Sequence, residues 1–382
     1  MASKIDTVGF SLPAVKEKAV SSLRFDWIMV VVSVWWLGGL FIDGWAHSNI
    51  PQLETFFTPW HAVFYSGYLA VTFTLLVQIL LNLRQSAFSA SGRTPFLVVL
   101  VRESLKGNRW LAGEGAIPTG YELSLLGVVI FGVSGIGDLT WHLLLGIERS
   151  TEALLSPTHL GLALGIGLAL SGPLRAAWSR SGGRASWRHL GPAILSLTFT
   201  LSLLTFFTEY ASPLITPWPI IDAPQAPSRG ITDILLITAL TMSFVLLALR
   251  RWRLPFGTFT FMFGLNGALM VVFSPGSLLV SVPTALLGGL AADIVYRFLQ
   301  PSLEQPTSVR LFAFLVPAMF YTLYFVDLAI VGPVIFQGGI LWSVPFWAGA
   351  PVIAGITGFL LSYVMIPPAQ VVEDRDKPIG GS

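Results

Sequence analysis

Apolar runs of about twenty residues alternate with short polar connections along almost the whole chain. Ten runs can be drawn, at 26–46, 58–83, 120–145, 157–178, 191–211, 230–250, 255–273, 276–297, 309–331 and 339–366. A helix of that length crosses a hydrocarbon core of roughly 30 Å. The alternating ten-residue segments of a membrane barrel are missing. The pattern therefore predicts an all-α, polytopic membrane protein with about ten transmembrane helices. It divides the chain into a polar segment at 1–25, a transmembrane domain at 26–366 and a polar tail at 367–382 that is expected to be disordered.

Composition agrees: 54% of the 382 residues are hydrophobic, 11% are charged and the mean hydropathy is +0.73. Soluble domains carry about a quarter charged residues. The chain has no cysteine, which removes disulfides and thiolate metal sites. A net charge of +2 gives no reason to expect a nucleic-acid partner. The first run lacks a small-residue cleavage site and carries Asp43, so it reads as a retained span and not as a signal peptide.

The position of charge says more than its amount. The connections at 1–25, 84–119, 175–190, 250–254, 297–310 and 367–382 hold 20 of the 22 Lys and Arg residues, leaving only Arg149 and Arg229 on the other side. By the bias of basic residues toward the cytoplasm, both termini are expected inside a cell inner or plasma membrane. The spans then become five helical hairpins, each turning on the outer face. The stretch 96–111 is basic and amphipathic, as suits a helix lying on the inner leaflet.

Against this apolar background one polar pattern is written twice. The first copy is Asp43, His47, Glu54, Thr58-Pro59 and His61; the second is Asp138, His142, Glu152, Ser156-Pro157 and His159. Four of the five histidines lie in these copies. Both fall at outer turns, within hairpins 26–83 and 120–178. Residues four apart share a helix face, so Asp43 with His47, and Asp138 with His142, can point at one ion. Thr58 and Ser156 suit the N-cap with proline following at the first helical position. That puts His61 and His159 in the first turn of the returning helix, where the helix dipole disfavours imidazolium and leaves the neutral ligand form. Glu54, Glu152 and Glu148 are candidates for a fourth ligand or a supporting acid.

Imidazole and carboxylate without sulfur suit copper(II), with zinc or non-haem iron as alternatives. The competing reading is that each Asp and His merely pair with one another; duplication on one face of the membrane weighs against it. Glu122, Glu209, Asp233, Asp293 and Asp327 are further acids in or near spans, expected to make helix-to-helix hydrogen bonds in preference to an ion path. His189 lies in a basic connection and is read as solvated. Trp35, Trp36, Trp45 and Trp60 read as an interfacial aromatic belt.

On these residues the chain resembles a copper-binding membrane component of the particulate methane and ammonia monooxygenases. That family carries two successive [Asp/Asn]-x3-His-x12–13-His copper sites on transmembrane helices. The first copy here, Asp43-x3-His47-x13-His61, has that spacing, and the second, Asp138-x3-His142-x16-His159, is three residues longer. The resemblance implies copper and oxidation of a small apolar substrate. No haem or flavin motif is visible, so electrons would come from other membrane or redox subunits; a homo-oligomer is a further option. The alternative is a metal-ion or solute transporter, with the duplicated site as an outer loading station and Asp233, Asp293 and Asp327 continuing inward. A third reading has the metals only stapling helices.

Overall fold

The computed structural model describes residues 21–50, 56–90, 116–146, 154–180, 185–335 and 338–367. Within them the chain is helical, and the only extended pairing is an isolated bridge between Ser302 and Gln305. The helices are α1 (Leu23–Asn49), α2 (Pro59–Ala90), α3 (Glu122–Leu145), α4 (Pro157–Leu170), α5 (Gly172–Ser179) and α6 (Trp187–Phe207). They continue as α7 (Ala226–Arg251), α8 (Thr258–Met270), α9 (Leu278–Leu299), α10 (Pro306–Ile335) and α11 (Val344–Met365). Helices α4 and α5 together make one span, interrupted where Pro173 removes a backbone donor.

Nine stretches among the described residues, against the ten expected, are long and apolar enough to cross a membrane. The difference is at 255–273. There α8 stops at Met270 and continues as the 3-10 turn Val271–Phe273. At 1.5 Å per helical and 2.0 Å per 3-10 residue, the pair reaches only about 25 Å. A second correction concerns pairing. Helices α1 and α2, α3 and α4, α8 and α9, and α10 and α11 pack against each other, but α6 and α7, the expected third hairpin, barely touch. The connection between them carries Pro213, Pro217, Pro219 and Pro224 and two short 3-10 turns, so it cannot close tightly and carries α7 across to α11. The stretch 96–111, residues 1–20 and residues 368–382 lie outside the described residues.

The bundle is apolar on both its inner and outer surfaces. Phe73, Val133, Ile136, Ile330 and Val364 are 66–76% exposed, an outer surface suited to lipid and not to water. The buried residues form three clusters: one among α1–α6 with Met270 of α8, one among α6–α10 and one among α7, α9, α10 and α11. In the first, Trp36 is fully buried and meets Phe131 edge-on with ring centres 4.8 Å apart. Trp36 is therefore a core residue, which corrects its assignment to an interfacial belt; Trp35, 51% exposed, does face outward.

The acids inside the bundle have local partners. Asp293 accepts from the backbone of Phe259 and Thr260 and so caps α8; Asp233 accepts from Trp218 Nε1 at 2.6 Å and Asp327 from Thr284 at 2.9 Å. The expected helix-to-helix hydrogen bonds form at Asp293 and Asp327, whereas Asp233 bonds the 3-10 turn before its own helix and Glu122 accepts from the Gly120 backbone N–H. At the end where α1 begins, buried Asp26 takes Arg180, Tyr121 and Ser21.

Candidate metal centre

The two motif copies fold as their spacing requires. In the second, Ser156 caps α4 by accepting from the His159 backbone N–H, with Pro157 at the first helical position. In the first, Thr58 accepts from the His61 backbone N–H at 3.3 Å, and Pro59 opens α2. Each second histidine thus sits third in its helix, beside the last turns of α1 or α3 that carry the Asp-x3-His pair.

Two triads result: Asp43, His47 and His61, and Asp138, His142 and His159, each with three ligand atoms within 4.8 Å of one another. In the first, the Nε2 atoms of His47 and His61 stand 3.8 and 3.6 Å from the Asp43 carboxylate. In the second, those of His142 and His159 stand 3.5 and 3.4 Å from Asp138 Oδ1. These gaps exceed the ordinary hydrogen-bond range of about 2.7–3.2 Å. They are near the roughly 3.3–3.4 Å edge of a tetrahedron with metal–ligand bonds of about 2.0–2.1 Å.

The remote ring nitrogens of His61, His142 and His159 are engaged. His61 Nδ1 lies 2.7 Å from the Phe56 carbonyl and His142 Nδ1 lies 3.3 Å from the Gly146 carbonyl. A carbonyl oxygen only accepts, so Nδ1 carries a proton in both rings, and in the neutral ring the metal-ligating nitrogen is then Nε2, the atom nearest the carboxylate. His159 Nδ1 is 2.6 Å from Ser156 Oγ. Such anchoring of the remote nitrogen is the usual companion of metal-binding histidine. The triads are not equivalent: Thr158 donates to Asp138 Oδ1 at 3.1 Å, while buried Asp43 Oδ1 has no hydrogen-bond partner among the described residues.

The triads are also neighbours. The rings of His61 and His142 lie 6.5 Å apart, and residues of both triads line one cavity of about 510 Å³. Leu40, Phe64, Leu162, Ile166, Phe206 and Phe273 give it apolar walls, and Tyr65, Ser48 and Glu209 add polar groups. Glu209 lies just past α6, and burial raises its carboxyl above the ordinary range. Glu54, Glu148 and Glu152 lie outside the described residues, so Glu209 is the glutamate that the described structure brings to the cavity.

Sequence reasoning missed three things. Tyr65 and Glu209 were not placed at the site, although Tyr65 stands one turn after His61, a spacing that puts both on one face. The repeat also extends further than the ligands. Trp36 and Phe131 precede their aspartates by seven residues, and Gly67 and Gly165 follow their second histidines by six. A Cβ on Gly67 would stand 2.5 Å from Trp36 Cα, and one on Gly165 would stand 2.7 Å from the Phe131 backbone nitrogen. The same glycine-to-aromatic contact thus closes α1 on α2 and α3 on α4. Comparison of the chain with protein-family models, curated proteins and solved structures finds no match.

Proposed function

We propose that this multi-pass membrane protein holds two copper ions side by side, one in each Asp/His/His triad, and uses the pair to oxidise a small apolar molecule. The observation that carries this reading is that both triads open on one apolar-walled cavity. Three protein donors per ion leave positions for exchange, as in catalytic sites, whereas structural sites are closed by four. Two buried carboxylates in one cavity are costly unless cations balance them. Protonated histidines could do this, but a direct ion-pair hydrogen bond would be about 2.7–2.9 Å long, and the observed gaps begin at 3.4 Å.

Nitrogen and carboxylate ligands favour copper by the affinity order of first-row divalent metals, with zinc and iron behind it. Two one-electron metals match a two-electron oxidation. In a monooxygenation R–H, O2, two electrons and two protons give R–OH and water; the electrons are supplied by a one-electron donor protein. The cavity's phenylalanine and leucine walls suit R–H. Glu209, which keeps its proton closer to neutral pH than an exposed glutamate, lies on the same cavity. Asp233, Asp293 and Asp327, which the transporter reading assigns to its inward path, each bond a neighbouring group and do not line the cavity of the triads.

The charge distribution supports an extracytoplasmic position for the triads, since they sit at the end opposite Arg175, Arg180 and Arg251. Metal analysis of the full chain, purified in detergent from copper-supplied cells, should find about two copper ions per chain. His61→Ala and His159→Ala should each retain about one. Wild-type protein without bound metal would end this reading.

A further inference from the structure

Tyr65 follows His61 by four residues on α2, so the two side chains share a face. Its hydroxyl is buried and has no hydrogen-bond partner among the described residues. A buried tyrosine hydroxyl ordinarily finds one. The ring is held by Phe56, Phe64 and Phe131, with centres 5.4–5.7 Å away, which offer it nothing polar. The phenol end reaches α3 at Gly135, where a Cβ would stand 3.2 Å from the hydroxyl oxygen. Gly135 lies one turn before Asp138, and the Tyr65 ring centre is 6.4 Å from that of His61. Tyr65 also lines the cavity that the two triads share. An unused donor therefore stands on the wall of the cavity that both carboxylates line.

We propose that the Tyr65 hydroxyl donates a hydrogen bond to a small anionic oxygen or nitrogen ligand, of the hydroxide class, held at the metal pair. The inference rests on the two-metal reading above. Two dications against two carboxylates leave the site net positive, so an anion is the fitting further ligand. Bound metal also lowers the pKa of a coordinated water and makes hydroxide available near neutral pH. Neighbouring Tyr68 gives the contrast: its hydroxyl already donates to the Val128 carbonyl, at 3.2 Å.

Azide, which gives a charge-transfer absorption on copper(II), is the probe. It would be titrated into copper-loaded, detergent-purified full chain, as wild type, Tyr65→Phe and Tyr68→Phe. Loss of one hydrogen bond to a charged ligand should weaken azide binding about tenfold in Tyr65→Phe. Copper content should stay at the wild-type level, and Tyr68→Phe should bind azide like wild type. Unchanged azide affinity in copper-replete Tyr65→Phe overturns the proposal, and so does equal weakening in both variants. Loss of copper from Tyr65→Phe alone would make the residue a packing support of the triads and would also overturn it. A wild type that binds no copper is a different failure, that of the metal reading itself.

Discussion

At the scale of single residues, the site is organised by what each polar atom has left to offer. The Nδ1 protons of His61 and His142 go to the Phe56 and Gly146 carbonyls, which leaves the Nε2 atom of each ring as the one nearest a carboxylate. Glu209 is a different case, because its burden is desolvation. Burial raises its pKa above the ordinary 4.5, so the folded protein binds its proton more tightly than the unfolded chain does. The sign follows. Below pH 4.5 both states hold the proton and there is no penalty. As pH rises past that value, the unfolded chain ionises first, and folding is increasingly disfavoured until the folded carboxyl also ionises. Glu209→Gln removes the penalty, so metal-free Glu209→Gln should melt higher than wild type at pH 8 and alike at pH 4. A stability gain equal at both pH values would show that ionisation is not the cause.

At the scale of elements, the two Asp/His/His triads are made by two helix pairs whose close approach depends on glycine. Gly67 against Trp36, and Gly165 against Phe131, let the paired helices touch backbone to side-chain base. The contact sits two turns or less from each triad, so separating the helices also separates Asp43 from His61 or Asp138 from His159. A methyl group at either glycine forces overpacking, which costs about 1–3 kcal/mol in a well-packed core. Gly67→Ala should lower thermal stability and copper content at the first triad, and Gly165→Ala should do the same at the second. Full copper content in both variants would show that the ligands do not depend on this packing. The Trp36–Phe131 contact joins equivalent positions of the two copies and ties the hairpins together, with the rings of His61 and His142 6.5 Å apart.

At the scale of the whole molecule, the chain places chemistry and positive charge at opposite ends. The triads lie where α1 and α3 end, and the Asp26–Arg180 pair lies where α1 begins. If the basic end faces the cytoplasm, substrate and metal reach the cavity from outside or through the lipid. The cysteine-free chain makes the test direct. Ser228→Cys, at the end of the triads, should react with a membrane-impermeant maleimide on intact cells, and Ala185→Cys, at the basic end, should react only after the cells are opened. The reverse pattern would put the metal centre in the cytoplasm.

Most of the helical spans and the two Asp/His/His groupings could be read from the sequence because both rest on local rules. Runs of apolar residues must satisfy their own backbone in lipid, and the four-residue spacing and the Thr58-Pro59 and Ser156-Pro157 caps orient side chains within one turn. The same local reading erred where neighbours decide. It counted 255–273 as a full span, although the helix gives way to a 3-10 turn at Val271, and it closed α6 on α7 across a connection too rich in proline to turn back. It assigned Trp36 to the membrane interface, although the residue is enclosed by Tyr68 and Phe131. What only the tertiary structure decided is that two triads 95 residues apart in sequence at Asp43 and Asp138 open on one cavity, with Tyr65 and Glu209 on its wall. The distance between hairpins is set by packing among helices far apart in the chain, and no spacing along one helix encodes it.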